Sequence, residues 1–233
     1  MGNRELRESM TWKLIQFSQV VVGDAHNPSI LNPDFLATHR IVPKSWGWEI
    51  VETITTPPLA IVRYSSGVTI TVEQNKIQIT DLNVESGPDK SKITEIAAAY
   101  IEILPHVRYT AVGNNFQCII PKTNAGDYLK ARFLKDGAWI ETPGQLHAFG
   151  LKLGYPLIPT GQLILTIDAA EAKLSDNADL QEIILCNANF SRDCGEEPKA
   201  EIAVDQLRKS IDDWSTFNRA IATLFEIESD PVL

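Results

Sequence analysis

An aspartate and a histidine stand two residues apart in the segment Gly23–Pro28, where a run of β-branched residues ends. A carboxylate and an imidazole at this spacing could form an acid–base pair or supply two metal ligands. The other three histidines are isolated in the sequence, so no third ligand stands at a recognisable spacing. The same residue types are typical of a turn in which Asp24 and Asn27 bond to the backbone. We favour the turn, and keep Asp24 and His26 as a catalytic alternative.

A second candidate for chemistry is Cys194, which precedes an acidic stretch and a long helical pattern. A cysteine near a helix N-terminus can have a lowered pKa, and Arg192 would lower it further. Three neighbouring carboxylates act in the opposite direction, and no histidine stands nearby as a base. We therefore expect an exposed, unreactive loop cysteine. Cys118 and Cys186 fall in predicted strands, where they would pack as small hydrophobic residues.

Two tryptophans, Trp46 and Trp48, flank a glycine beside Lys44 in the proline-rich stretch 25–58. Aromatic residues concentrate at binding hot spots. A loop of this length is uncommon in a compact domain unless it covers or binds something. The pair either anchors the loop on the sheet or forms a recognition surface. We predict a binding surface for a protein partner at Lys44, Trp46 and Trp48.

Composition narrows the classes of function. The chain has 233 residues, a net charge of -9 and 44% apolar residues. An acidic balance works against nucleic acid as the principal partner, because phosphate binding needs clustered Lys and Arg. Three cysteines without CxxC spacing indicate reduced thiols. No apolar run approaches the length of a membrane span. These features predict a soluble cytoplasmic protein without a membrane segment, and no motif indicates a metal or cofactor.

Hydrophobic periodicity predicts the strands and helices that would position these residues. Period-two alternation with β-branched residues predicts a meander over 59–80, and helical spacing predicts a helix over 91–104 that begins at Asp89 or Ser91. Residues 113–115 (Gly-Asn-Asn) interrupt another strand and suggest a bulge. The remaining predictions are strands over 12–22, 107–120, 162–170 and 180–190, a brief strand near 48–51, and helices over 124–135 and 199–226.

This order of elements predicts the α+β class: an antiparallel sheet of six or more strands with helices on one face and a long C-terminal helix. We predict a flexible extension over 1–10 and a single domain over 11–233. Two β-β-β-α halves, 11–105 and 106–233, suggest an internal duplication. TATA-binding-protein-like and helix-grip architectures share this outline as shapes, which carries no functional argument.

Three functions stay open at this stage. The first is a non-enzymatic protein-interaction or scaffold module acting within a larger assembly, using the aromatic pair. The second is a binder of small apolar ligands, with a cavity between the sheet and helix 199–226 lined by Trp214, Phe217 and Ile221. The third is a hydrolase-type enzyme that uses Asp24 and His26, or Cys194. The absence of a recognisable catalytic motif favours the first.

Overall fold

In a computed structural model, the described residues form one antiparallel sheet of nine strands. The structure describes residues 11–84, 87–137, 144, 146, 148–174, 178–195 and 199–227. The strands are β1 (Lys13–Asp24), β2 (Ile50–Thr55), β3 (Leu59–Tyr64), β4 (Val68–Glu73), β5 (Lys76–Asp81), β6 (Arg108–Pro121), β7 (Gly150–Pro156), β8 (Gly161–Lys173) and β9 (Leu180–Asp193). The helices are α1 (Pro33–Thr38), α2 (Ile93–Ile103), α3 (Ala125–Phe133), α4 (Ala200–Arg208) and α5 (Ser210–Phe225).

The first strands of the two halves, β1 and β6, are far apart in the sequence but pair with each other within the sheet. The full order is β2-β3-β4-β5-β1-β6-β9-β8-β7. In each half of the chain, the first strand is central, and the later strands return from the outer edge toward it. The sheet therefore runs continuously through both halves. The internal duplication remains a prediction, because element order alone suggests it.

Alternation along the central strands separates two faces of the sheet. Phe17 of β1 and Phe116 of β6 point to one face and stack with ring centroids 5.0 Å apart. Phe217 of α5 stacks on Phe116 at 6.0 Å, so the C-terminal helix covers this face. Each fully buried phenylalanine stabilises the fold by roughly 1.5–3 kcal/mol. The opposite face carries Gln16 and Ser18 of β1, and we call it the uncovered face because no described helix packs there.

These features confirm the predicted α+β class, with its antiparallel sheet, helices on one face and long C-terminal helix. The helix bends at Lys209, whose N–H bonds to Gln206 O at 3.3 Å, three residues back, instead of continuing the regular ladder. It is therefore divided into α4 and α5. Its predicted acidic start at 196–198 lies outside the described residues, as does the extension over 1–10.

Two details of the local predictions were wrong. The α2 N-cap is Lys92, which makes no side-chain cap bond. The hydroxyl of the preceding Ser91 donates to Asp81 at 2.6 Å and accepts from Ile93 N at 3.5 Å. Residues 113–115 continue β6 in unbroken register with β1 and β9. The register between β1 and β6 shifts at two other places: between Leu14 and Gln16, where Ile15 of β1 is the extra residue, and between Val22 and Gly23, where Thr110 of β6 is the extra residue.

The stretch 25–58 contains more regular structure than its prolines suggest. It holds α1, two short 3₁₀ turns and β2, which lies at one edge of the sheet. Asn32 begins α1 by accepting a hydrogen bond from Phe35 N at 2.8 Å. Leu31 and Leu36 are fully buried, so this stretch contributes side chains to the core.

Candidate functional site

The aromatic pair of the long loop forms one cluster at the edge of the sheet. The Trp46 and Trp48 ring centroids lie 4.8 Å apart, and Trp48 lies 5.8 Å from Tyr64 of β3. Gly47 between them adopts a left-handed conformation with φ of 70°, which a residue with a side chain rarely tolerates. The turn at Gly47 thus brings the two rings together.

Both tryptophans are half-buried, so each has one part against the protein and another part exposed. Lys92, just before α2, places its ammonium 5.8 Å from the Trp46 ring centroid, within range of a cation–π contact. Lys44 is exposed at the start of the same turn. The pair therefore anchors the loop on the sheet and leaves part of its aromatic surface exposed. The recognition surface remains a prediction.

The free edge of β2 follows directly after this pair. Among the described strands, β2 pairs only with β3. Ile50 is 50% exposed and Val51 is 67% exposed. Glu52, the only charged residue of the strand, forms an ion pair with Arg63 of β3. An edge strand has backbone N–H and C=O groups that no neighbour uses, and these can pair with another chain. We call Trp46, Trp48 and β2 together the β2 edge surface.

The structure does not bring Asp24 and His26 into a common site. Asp24 is exposed, and its carboxylate lies 3.5 Å from the Arg108 guanidinium. His26 is buried, and its ring centroid lies 6.1 Å from that of Tyr100 and 5.8 Å from that of Tyr109. We call these three aromatic residues the histidine–tyrosine cluster. The enzyme alternative gains no support from this arrangement.

Burial is the largest cause of the pKa shifts of all three residues in the histidine–tyrosine cluster. It lowers the pKa of His26 to about 4, because the charged imidazolium would lose its hydration. It raises the pKa of Tyr100 and Tyr109 far above the ordinary value for the same reason. Both ring nitrogens of His26 and the Tyr100 hydroxyl lack a hydrogen-bond partner among the described residues. The Tyr109 hydroxyl donates to Leu104 O at 2.9 Å.

The expectation that Cys194 is exposed was wrong. The residue is only 2% exposed, and its backbone N–H bonds to Thr110 O at 2.9 Å, which extends the pairing of β6 beyond the end of β9. This extension turns the side chain into the core. Burial, followed by the negative charge of Asp193, raises the thiol pKa to about 11. A thiol with a raised pKa is a poor nucleophile at neutral pH.

The other two cysteines lie opposite each other on β6 and β9. Cys118 and Cys186 are register partners and both are buried. Burial raises the pKa of Cys118, and the neighbouring Cys186 raises it further. Both thiols belong to the hydrophobic core, as the sequence predicted.

The residues predicted to line a ligand cavity lie in packed surroundings. Phe217 and Ile221 are fully buried. The Trp214 ring centroid lies 5.6 Å from Trp12 and 5.5 Å from Phe116. Trp12, just before β1, and Phe116 of β6 thus fill the space beside Trp214. The ligand-binding alternative at this helix remains a prediction, and the packing provides no argument for it.

A buried polar network escaped the sequence analysis. Gln19 Nε2 donates to Asn114 Oδ1 at 3.0 Å and to Leu207 O at 3.0 Å. Asn114 Nδ2 donates to Asp213 Oδ2 at 2.8 Å. Arg192 binds both oxygens of Asp213, at 2.7 and 2.5 Å. These four side chains, which we call the amide–carboxylate network, connect three strands to the bend of the C-terminal helix.

The amide–carboxylate network positions the bend of the C-terminal helix against strands β1, β6 and β9. Asp213 is 3% exposed, and its carboxylate accepts bonds from two side chains. A carboxylate engaged in this way is poorly placed to exchange protons with a substrate. The only signal in the sequence was the presence of Gln19 and Asn114 at apolar-face positions of strands, where a hydrophobic residue is expected.

Within the described ranges, no three histidine, cysteine, aspartate or glutamate side chains come together as a metal site would require. His147 lies outside these ranges. No helix of the described part is both long and apolar enough to cross a membrane.

No protein-family model matches the chain, and a search of curated protein sequences gave no significant match. The functional argument therefore depends on the geometry of the molecule itself.

Proposed function

We propose that this chain is a non-enzymatic protein-interaction module that receives an extended segment of a partner protein along the β2 edge surface. The observation that carries the proposal is the exposure of Ile50 and Val51 on an edge strand that follows a half-exposed tryptophan pair. A bound segment would add a tenth strand to the sheet. Its backbone would supply affinity, and its side chains would supply specificity.

The chemistry of this edge defines the kind of segment that fits. Ile50, Val51 and Ile54 are β-branched, and such residues stabilise cross-strand pairs with other β-branched or aromatic residues. Glu52 is already bound to Arg63, so it does not act as an unpaired charge that repels a neighbouring strand. A segment with alternating apolar residues suits this edge. The aromatic pair offers a hot spot at its beginning.

Capture of partners from native lysate tests the proposal. We compare the natural protein with Val51→Lys, with the double variant Trp46→Ala/Trp48→Ala, and with Tyr155→Lys. Tyr155 is 46% exposed on β7, the opposite edge of the sheet, so its variant is a matched control. We expect the first two variants to recover at least tenfold less partner, while the control recovers the natural amount. Equal recovery by all four proteins would show that the proposal is wrong.

Hydrogen exchange on the captured complex locates the contact. Backbone amides of Ile50–Thr55 should exchange more slowly in the complex, because the partner strand would bond to them. Amides of Gly150–Pro156 on the opposite edge should exchange at the rate of the free protein. Protection confined to other elements would place the partner elsewhere and refute strand addition at β2.

A further inference from the structure

The uncovered face of the sheet carries two adjoining zones of different chemistry. The first is a depression of about 380 Å³ whose lining includes only uncharged residues. We call six of its eight polar members the amide patch; they are Gln16, Asn115, Gln117, Thr166, Asn187 and Asn189. The second is a depression of about 500 Å³, which we call the apolar depression, and its principal side chains are Ile15, Ile119, Ile183 and Leu185.

The apolar depression is well formed although no described helix covers it. Ile183 is 2% exposed and Ile119 is 7% exposed, values typical of core residues. Neither belongs to the hydrophobic core on the helix side. Ala170 and Leu174 of the neighbouring β8 segment line the same depression. Four strands thus contribute apolar surface to a concave site, as ligand pockets generally do.

The bulge in β1 joins the two zones. The register shifts between Leu14 and Gln16, which leaves Ile15 as the extra residue. A bulge sets two consecutive side chains against one residue of the partner strand. As a result, Ile15 lines the apolar depression while Gln16 lines the amide patch next to it. One ligand could therefore contact both zones.

The amide patch is organised by its own hydrogen bonds. Gln117 Nε2 donates to Asn187 Oδ1 at 2.6 Å, and Asn187 Nδ2 donates to Thr166 Oγ1 at 3.3 Å. Asn189 also donates to Asn115. Each amide has two N–H hydrogens and an oxygen with two lone pairs, so these bonds leave donors and acceptors for a ligand. The bonds hold the amides in fixed orientations.

We propose that the uncovered face binds an amphiphile whose apolar chain occupies the apolar depression and whose uncharged, hydroxyl-bearing head group binds the amide patch. Amide side chains complement hydroxyl groups because both donate and accept hydrogen bonds. A charged head group would lose hydration in the amide patch, whose lining holds no charged residue, and this disfavours it there. The charged residues Lys13, Glu171 and Lys173 line the apolar depression instead. This site lies on a face of the sheet, so the proposal is independent of strand addition at the β2 edge.

Calorimetric titration with soluble amphiphiles below their micellar concentrations tests this inference. The probes are decyl maltoside, maltose and decyl sulfate, which supply the chain with a neutral head, the head alone, and the chain with an anionic head. We expect saturable one-to-one binding of decyl maltoside, at least tenfold weaker binding of decyl sulfate, and weaker binding still of maltose. Equal affinity for the two decyl compounds, equal affinity for maltose, or no binding of decyl maltoside would overturn the proposal.

Variants locate the bound molecule. Leu185→Gln should weaken decyl maltoside about tenfold, because the chain loses apolar contact area. Asn187→Leu should remove the preference for maltoside over sulfate. The matched control is Ile61→Gln. Ile61 of β3 lies on the same face of the sheet as Leu185, but outside both depressions.

Circular dichroism establishes that each variant folds, and Ile15→Gln replaces Leu185→Gln if the latter does not. The proposal fails if the depression variant binds decyl maltoside as tightly as the control variant does. It also fails if Asn187→Leu keeps the natural preference between the two head groups.

Discussion

Two of the groups of buried polar side chains in the described part of the core differ in how their hydrogen bonds are satisfied. In the amide–carboxylate network, Asp213 accepts bonds from Asn114 and Arg192, while Gln19 Oε1 has no partner among the described residues. In the histidine–tyrosine cluster, both nitrogens of His26 and the Tyr100 hydroxyl have no partner among the described residues. Buried polar groups are costly unless they are bonded. We therefore expect the network to fix the fold and the cluster to make the stability of the fold sensitive to pH.

The positions of the two groups explain this difference. The network lies where β1, β6 and β9 meet the helix bend, and it satisfies backbone carbonyls at the end of α4, including that of Leu207. Carbonyls at a helix end lose regular helical partners and are often satisfied by donors from outside the helix. The cluster lies at the end of β1 against α2, where rings meet without polar contact, apart from the bond of Tyr109 to Leu104 O.

The largest expected effect is the loss of the network's carboxylate. Asp213→Ala leaves the guanidinium of Arg192, only 13% exposed, without its counter-charge. Breaking a buried pair in this way costs about 3–5 kcal/mol of unfolding free energy. Urea titration measures the change. The neighbouring Asp212→Ala is the control, because Asp212 is exposed, and it should cost less than about 1 kcal/mol. Similar costs for both variants would show that the network does not hold the fold.

Removing both charges of the network sharpens this test. The double variant Arg192→Met/Asp213→Leu leaves no unpaired charge, so it should cost several kcal/mol less than the sum of the single variants. If the costs simply add, the pair is not coupled, and the interpretation of the network as a unit is wrong.

The second-largest expected effect is a decrease in the unfolding free energy at low pH, caused by His26 of the histidine–tyrosine cluster. The pKa of His26 falls from an ordinary 6.5 to about 4 on folding. Between these values the unfolded chain binds more protons, so stability from this group is complete above pH 6.5 and falls as pH decreases toward 4. A shift of this size corresponds to about 3 kcal/mol. Urea titrations at pH 7.5, 5.5 and 4.5 should reveal the loss.

His26→Phe isolates the contribution of this group. The variant keeps an aromatic ring against the two tyrosines but cannot titrate, so this part of the pH dependence should disappear. His39→Gln, at an exposed histidine, is the control and should retain the natural dependence. An unchanged dependence in His26→Phe would mean that other groups cause the acid sensitivity.

The smallest expected effect separates the two tyrosines of the cluster. Tyr109→Phe removes the hydrogen bond to Leu104 O and should destabilise by about 1 kcal/mol. Tyr100→Phe removes a hydroxyl that has no partner among the described residues, so it should be neutral or slightly stabilising. Thermal unfolding of the two variants compares them directly. A larger loss for Tyr100→Phe would show that its hydroxyl is bonded after all.

Strands and helices could be predicted largely from local pattern. The period-two alternation of 59–80 became β3, β4 and β5, and the helical spacing of 91–104 became α2. The exact cap of α2 was not predicted: it falls at Lys92, while the hydroxyl of the preceding Ser91 donates to Asp81, ten residues earlier in the sequence, and accepts from Ile93 N. The same limit applies to Cys194, whose burial depends on a backbone bond to Thr110.

The candidate surfaces were predicted only in part. Trp46 and Trp48 were identified from their residue type and the length of their loop. The free edge of β2 beside them depends on the strand order of the whole sheet. The amide patch and the apolar depression combine β1, β6, β8 and β9, which are distant in sequence. No local pattern states which of these strands are neighbours.

The sequence by itself determined the α+β class, the periodicity of the main elements and the helix-facing positions, because burial of alternate or helically spaced apolar residues is a local property. Only the tertiary structure decided the burial and the partners of the residues that could do chemistry. It separated Asp24 from His26, turned Cys194 into the core and joined Asp213 to Arg192. These outcomes depend on contacts between distant segments, and a side chain acquires its partners and its pKa from those contacts.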